Sequence, residues 1–276
     1  VSDTTPFLDQ QLISVSLYGD QQRLANRTGA LLSAKTSGQP APEVISAIAL
    51  RSCSGVGGLV LDIGCGRGAS TIALARSLPR SRLLALDASA ALLSAARHRL
   101  QQSGWQAATI QADFHQLPLP AGRAELAVAA FCLYHSPRPR RVLQEIARCM
   151  APGGTVILAT KSADSYAALD RLIADSGLDP QAETRPSLYG TFHSGNITAL
   201  AASVLTVHDV RHETHRFRFH DLAHASAYLA TSPKYRLPPG LTGNPTALAE
   251  RLSERLPDGP IETTSEVSYL AATVPG

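Results

Sequence analysis

Leu59-Val60-Leu61-Asp62-Ile63-Gly64-Cys65-Gly66-Arg67-Gly68 is the stretch that decides the fold. A short apolar run ends in an acidic residue and a loop with glycine at alternate positions, and 69–78 behind it reads as a helix stopped by Pro79. Glycines in such a loop let the backbone turn tightly and let a ligand approach without meeting a side chain. Outward from it, 83–86 is a second apolar strand, 89–100 a helix and 107–111 a weaker third strand. A fourth, 126–132, lacks polar alternation, which predicts cover on both faces. Ser136-Pro137 predicts a helix start, with an N-cap hydroxyl and proline at the first helical position. Pro152-Gly153-Gly154 predicts that helix's end, and 155–160 is a fifth apolar strand. Strands alternating with helices of roughly 10–15 residues predict an α/β chain with a doubly wound, mainly parallel sheet.

The flanks are less regular. Helical spacing covers 24–34, a break follows at Ser37-Gly38-Gln39-Pro40, and 42–51 is helical again. Beyond Lys161, 164–176 reads as helix, 186–195 as loop, 204–219 as strand, 222–230 and 247–256 as helices, and 261–273 as a strand.

Ligands of open parallel sheets sit at the carboxyl ends of the strands where the strand order reverses, and the first strand–helix turn is such a place. Asp87 closes the second strand 23 residues after Gly64. A carboxylate there can accept both hydroxyls of a ribose, whereas taken alone it would be a helix cap or a surface charge. Asp113 can accept from an adenine amino group while the backbone amide of Phe114 faces the ring nitrogen. Asp62 can hold the loop or a ligand's ammonium group. Phe131-Cys132-Leu133-Tyr134-His135 leads from the fourth strand into the open site.

With Ala151-Pro152-Gly153-Gly154 ahead of the fifth strand, these residues over about 55–160 closely resemble the class I S-adenosylmethionine-dependent methyltransferases. Within that family the likeness is to the ubiquinone/menaquinone-type and small-metabolite group. The resemblance implies a Rossmann-like seven-stranded sheet whose last strand is antiparallel, which suits the strand-like segments after Val204. It implies S-adenosylmethionine as cofactor, with its methionine portion on Gly64, Cys65, Gly66 and Gly68, its ribose at Asp87 beside Ala88, and its ammonium near the backbone of Phe131. The expected organisation is a helical N-terminal cap over 1–54, a cofactor-binding core over 55–160, and a segment 161–276 that forms a lid over the acceptor and completes the sheet with C-terminal strands.

A nicotinamide-dependent dehydrogenase is the rival, because Gly64-x-Gly66-x-x-Ala69 satisfies the looser dinucleotide fingerprint. Asp62 argues against it, since a carboxylate beside the loop repels a pyrophosphate and suits a zwitterionic methionine. Asp113-Phe114 and Pro152-Gly153-Gly154 have no role in that reading. A protein that binds S-adenosylmethionine without transferring methyl would show the same cofactor residues, so that alternative stays open.

Alignment of nucleophile, methyl carbon and sulfur can supply up to ~7–11 kcal/mol, and a base is needed only if the acceptor must lose a proton. His135 is the first candidate for that base, with capping of a helix start at Ser136 as its other reading. Tyr134 is a pocket wall or core packing, and His193, in a lid segment, is a further candidate. Tyr18 and Arg23 either close over the methionine carboxylate or lie on ordinary helix surface. His208, His212, His215, His220 and His224 lack a carboxylate or cysteine at ligand spacing and read as solvated strand, so no metal is expected. The Asn/Asp-Pro-Pro-Tyr/Phe signature of amino-methylating enzymes is missing from the fourth strand. Tyr166, Tyr189, Phe192, Tyr228 and Tyr235 give the expected lid aromatic surface, or are packing. The expected acceptor is an oxygen, nitrogen or carbon of a specialised metabolite, with a modified peptide behind it.

Composition sets the outer bounds. Hydrophobic content of 44% and charged content of 17% fit a globular chain. No run approaches the ~18 apolar residues of a membrane span. Residues 1–10 show neither a basic nor an apolar leader, so no export signal is expected. Cys53, Cys65, Cys132 and Cys149 show no C-x-x-C pair, which predicts free thiols and a cytoplasmic protein. The net charge of +3 is small, and the run Arg138, Arg140, Arg141 reads as a solvated helix start rather than a nucleic-acid footprint. The expected partner is a small-molecule acceptor, with no nucleic acid or membrane, for a monomer or homodimer. Only three of the 25 basic residues are lysine, which with the many alanines suggests a high-GC bacterial genome.

Overall fold

The computed structural model describes residues 8, 21–52 and 57–275. In chain order its elements are α1 (Gln21–Ala34), β1 (Lys35–Ser37), α2 (Ala41–Ser52), β2 (Leu59–Ile63), α3 (Ala69–Ser77), β3 (Arg82–Asp87), α4 (Ala90–Gln102), β4 (Ala108–Gln111) and β5 (Ala124–Ala130). A 3-10 turn (Leu133–His135) follows, then α5 (Pro139–Cys149), β6 (Met150–Lys161), α6 (Ala167–Asp175), α7 (Ile197–Ala202), β7 (Thr206–Phe219), α8 (Leu222–Leu229), α9 (Pro245–Ser253) and β8 (Ile261–Thr273). The strands lie in the order β1-β7-β8-β6-β5-β2-β3-β4. The chain divides into two units, and β7 and β8 each run through both.

The first unit comprises Gln39–Ser162, Thr191–His212 and Val267–Gly276. β2 pairs parallel with β3 on one side and β5 on the other, β4 and β6 extend the parallel set, and β8 runs antiparallel to β6. This is the doubly wound parallel arrangement that the strand–helix alternation predicts, and the Rossmann-like one that the resemblance implies. The order reverses at β2, which opens a crevice at its carboxyl end. Val60, Leu61, Leu126, Ala127, Val128 and Ala129 are fully buried, as expected for parallel strands covered on both faces. Val44, Ile45, Ile48 and Ala49 of α2 and Leu74 of α3 pack over Val60, Leu126, Val128 and Ile157. Truncating a fully buried residue such as Ile45 to alanine costs ~2–5 kcal/mol.

The structure departs from expectation at three places, the first being that the helix expected to end at Pro152-Gly153-Gly154 ends at Cys149 and 150–154 open β6. The helix expected to start at Pro137 starts at Pro139, with Arg138 as its non-helical N-cap residue. A residue before proline disfavours the helical region, so Arg138 before Pro139 keeps the helix from starting earlier. The sheet also has eight strands rather than seven, since β1 pairs antiparallel with β7 through Lys35↔Phe217.

Among the described residues the second unit comprises Gln21–Gly38, Ala163–Gly190 and Glu213–Glu266. Its core gathers Tyr166, Leu169, Ile173, Phe217, Phe219, Leu229, Tyr235, Leu248 and Leu252. Asp170 accepts from Lys234 Nζ at 2.5 Å and from the Tyr235 hydroxyl at 2.9 Å. Asp179 accepts from Arg185 Nε and Nη2, both at 2.8 Å, and from the Arg236 backbone N–H. Tyr166, Tyr189 and Tyr235 of this unit are buried, as is Phe192 of the first, and Tyr228 is partly buried. Packing is therefore the role these aromatics fill. Among the described residues no helix is long and apolar enough to cross a membrane.

Candidate functional site

Chain direction changes immediately after Ile63. Gly64 has φ 65°, and a Cβ on it would lie 2.5 Å from Cys132 Cβ and 2.8 Å from Cys132 Sγ. Only glycine lets the end of β5 seat on this turn. Gly66 has φ 54°, yet a Cβ there would meet nothing within 4 Å. Space beside Gly66 is open, as a ligand cradle requires. A Cβ on Gly68 would stand 3.1 Å from Ala96 Cβ, so this residue sets the approach of the loop to α4. The Cys65 backbone N–H donates to Leu86 O at 2.9 Å, tying the loop to β3. Burial pushes the thiols of Cys65 and Cys132 well above their usual range, so neither is a nucleophile.

Asp87 closes β3 against this loop. Its Oδ2 accepts from the Gly66 N–H and its Oδ1 from the Ser89 N–H, both at 2.8 Å. Burial raises its pKa, opposed by those two amides. Each oxygen keeps a lone pair for a further donor such as a hydroxyl. Ala88 beside it is exposed and accepts from Gln111 Nε2 through its carbonyl at 2.9 Å. Asp62 is 1% exposed and accepts from the Thr71 hydroxyl at 2.5 Å. Burial pushes its pKa up to about 6, with the Thr71 bond lowering it and Asp87 raising it further. Among the described residues no lysine or arginine pairs with either carboxylate. A buried carboxylate without a counter-charge, beside an open glycine cradle, fits a ligand that brings a cation.

The ends of β4 and β5 supply the rest. Asp113 is half exposed, and its Oδ1 accepts from the backbone N–H of His115 at 2.9 Å and from His115 Nδ1 at 2.7 Å. The Phe114 ring lies 4.8 Å from that imidazole. Phe131 has φ 56°, a left-handed conformation that costs a non-glycine residue of order 1–3 kcal/mol and is typical of functional sites. Its N–H donates to Ala159 O at 2.8 Å, and Lys161 Nζ stands 5.7 Å from its ring centre. Tyr134 and His135 occupy the 3-10 turn, both buried, with rings 4.6 Å apart edge to face. The alternative role of His135 as a cap falls away with the later helix start.

His193 is carried by a loop fastened to the first unit's sheet. Thr191 Oγ1 donates to Tyr134 O at 2.9 Å, Thr160 Oγ1 to Phe192 O at 2.8 Å, and the Ser194 N–H to Lys161 O at 3.1 Å. The Gly195 N–H donates to His193 Nδ1 at 3.1 Å. Tyr18 lies outside the described residues, as do Cys53 and the side chain of Arg23. His208 and His212 bond to Thr273 and Ser268 of β8 at 2.7 Å each, and among the described residues no group of three or more metal-ligating side chains gathers. Sequence reading missed Thr71, His115 and Thr191. Thr71 left a faint signal, a hydroxyl in the first turn of the helix behind the loop; the other two owe their place to tertiary contacts.

Residues 60–154 match a family model described as a methyltransferase domain. The chain is 33% identical over 99 residues to the trans-aconitate 2-methyltransferase of Azoarcus sp. (strain BH72), covering 36% of this chain and 37% of that protein. It is 30% identical over 101 residues to the ubiquinone/menaquinone biosynthesis C-methyltransferase of Syntrophotalea carbinolica, covering 37% and 43% respectively. The chain thus spans less than half the length of these curated relatives. The crystal structure of the [4+2]-cyclase SpnF is similar with a TM-score of 0.58 at 16% identity, covering 96% of this chain and 94% of that one, a likeness of fold alone. Sequence match and strand order agree, and the domain at residues 60–154 belongs to the class I S-adenosylmethionine-dependent methyltransferases.

Proposed function

We propose that the protein transfers the methyl group of S-adenosylmethionine to an oxygen, nitrogen or carbon of a small-molecule acceptor, in the manner of a specialised-metabolite enzyme. The observation that carries this reading is Asp62, a fully buried carboxylate held near a pKa of 6 that among the described residues pairs with no lysine or arginine, one residue ahead of an open glycine loop. Asp62 and the open face of Gly66 hold the methionine portion, and the backbone at Phe131 closes on its ammonium. Asp87 takes the ribose hydroxyls on its free lone pairs, while Asp113 and the Phe114 amide take the adenine. Bound there, S-adenosylmethionine supplies a sulfonium whose methyl carbon is electrophilic without help from the protein. The chain's task is then alignment and exclusion of water. Tyr134 and His135, packed edge to face, wall the methyl side. His193 accepts from Gly195 at Nδ1, so its neutral ring carries the proton on Nε2 and offers the acceptor a donor.

Calorimetry with S-adenosylhomocysteine, paired with transfer of radiolabelled methyl to the small-molecule fraction of a cell extract, tests the reading. Binding together with labelled product is expected. A folded protein with no affinity for S-adenosylhomocysteine would sink it, and binding without any labelled product would leave a cofactor-binding protein that does not transfer.

A further inference from the structure

His115 has no part in the reading above, yet its backbone N–H and both ring nitrogens are engaged. Asp113 Oδ1 accepts from the N–H at 2.9 Å and from Nδ1 at 2.7 Å. An ionised carboxylate has no proton to give, so Nδ1 is the protonated ring nitrogen, and in the neutral ring Nε2 accepts from the Ser136 hydroxyl at 2.8 Å. Ser136 is fully buried, and its Oγ accepts in turn from the Arg138 N–H at 3.0 Å. Aspartate, histidine and serine at these distances have the geometry of a hydrolytic triad. A hydroxyl with no exposed surface cannot be reached by an acyl donor, however, so the chain of bonds serves placement.

The loop behind His115 is pinned independently. Glu145 Oε1 accepts from the Leu117 N–H at 2.7 Å, and Arg148 donates to Leu119 O at 2.9 Å. His115 is therefore not what holds the loop together. What its ring does hold is the orientation of a half-exposed carboxylate that the backbone N–H of residue 115 alone would tether through a single bond. Both of its donors converge on Oδ1, and among the described residues Oδ2 has no partner.

We infer that His115 is a positioning residue, anchored on Ser136, that fixes the Asp113 carboxylate so that Oδ2 meets the adenine amino group. The inference rests on the proposed assignment of Asp113 to adenine. It makes purine selectivity a property of a residue that does not itself touch the cofactor.

The test compares, by calorimetry, S-adenosylhomocysteine with its 6-deamino analogue, whose purine C6 carries hydrogen in place of the amino group. Wild type should prefer S-adenosylhomocysteine by ~10-fold or more, the worth of one hydrogen bond to a charged group. H115N, whose amide nitrogen stands near the position of Nδ1, should keep that ratio. H115Q, which reaches toward Ser136 but leaves Oδ1 without its side-chain donor, should reduce it to within ~3-fold. If H115Q is unstable, H115M carries the same expectation, and melting curves establish that each variant is folded. Retention of the full ratio in H115Q overturns the inference alone, as does an equal loss in H115N and H115Q. A wild type without preference overturns the adenine assignment and this inference with it.

Discussion

A methyl group added at Gly64 and one added at Gly66 should have opposite consequences, although the two glycines are two residues apart and share a left-handed φ. That conformation costs an alanine ~1–2 kcal/mol at either position. At Gly64 the new Cβ would also fall 2.5 Å from Cys132 Cβ inside a buried contact, and such overpacking adds ~1–3 kcal/mol. Gly64→Ala should therefore lose about 2–5 kcal/mol, which for a chain of this size is about 4–20 °C in melting temperature. At Gly66 the new Cβ meets nothing within 4 Å, so Gly66→Ala should lose only the conformational share, about 2–8 °C. Its methyl instead fills the cradle proposed for the methionine portion, and S-adenosylhomocysteine affinity should fall ~100-fold, more than the ~10-fold of a single lost polar contact. Circular dichroism melts of the ligand-free proteins and calorimetry on the folded ones separate the two effects. A folded Gly66→Ala variant with wild-type affinity would refute the placement of ligand over Gly66. A Gly64→Ala variant melting with wild type would refute the packing argument.

Asp87→Asn must turn its amide NH2 toward either the Gly66 or the Ser89 N–H, leaving one donor unpaired; a loss of ~1–3 kcal/mol and at least ~10-fold weaker S-adenosylhomocysteine binding are expected in melts and calorimetry. Asp62 has its pKa raised from 3.8 to about 6, so between those values the folded chain holds the extra proton and stability falls as pH rises, by ~3 kcal/mol in total. Melting curves of the ligand-free protein from pH 4 to 7 should show that slope, and Asp62→Asn should flatten it. His193→Gln keeps a donor near the position of Nε2, so kcat on an acceptor found by the extract screen should stay within ~10-fold of wild type, whereas loss of a general base would cost ~10²–10⁴-fold. Arg185→Ala strips the buried Asp179 of two bonds, and the melt should register a loss of ~3–5 kcal/mol.

What the sequence made legible follows from where each element is buried. β2, β5 and the latter part of β6 lie inside a parallel sheet, so their residues form apolar runs, and the loop after β2 declares itself through alternate glycines. β1 is Lys-Thr-Ser, mostly exposed, with no apolar residue to betray it; it is a strand because β7 offers it an edge. The helix start after β5 was misplaced because Pro137 and Pro139 both suit a first turn, and only the restriction that the second imposes on Arg138 decides between them. Asp113 was visible by its place at the end of a strand. The bond from His115 to Ser136 joins residues 21 positions apart on different strand ends, and no local pattern encodes it.

The residues that break local rules cluster at one end of the first unit's sheet. Asp62 puts a carboxylate inside a parallel strand, Phe131 takes a left-handed φ, and Cys132, next in the chain, leaves room for nothing but glycine at position 64. The first two placements lower stability, one by desolvating a carboxylate and the other by holding a non-glycine residue in the left-handed region. Such concentration is expected where geometry serves a ligand. Asp62 offers the sharpest form of the argument, because the Thr71 bond offsets only part of its desolvation and Asp87 adds repulsion. A cation delivered by a ligand would remove that penalty, so S-adenosylhomocysteine binding should tighten as pH rises through about 6 and Asp62 ionises. Asp62→Asn should then melt higher than wild type at pH 7.5 without ligand and bind S-adenosylhomocysteine more weakly. An asparagine variant that gained stability and kept its affinity would mean that the buried charge serves something other than the cofactor.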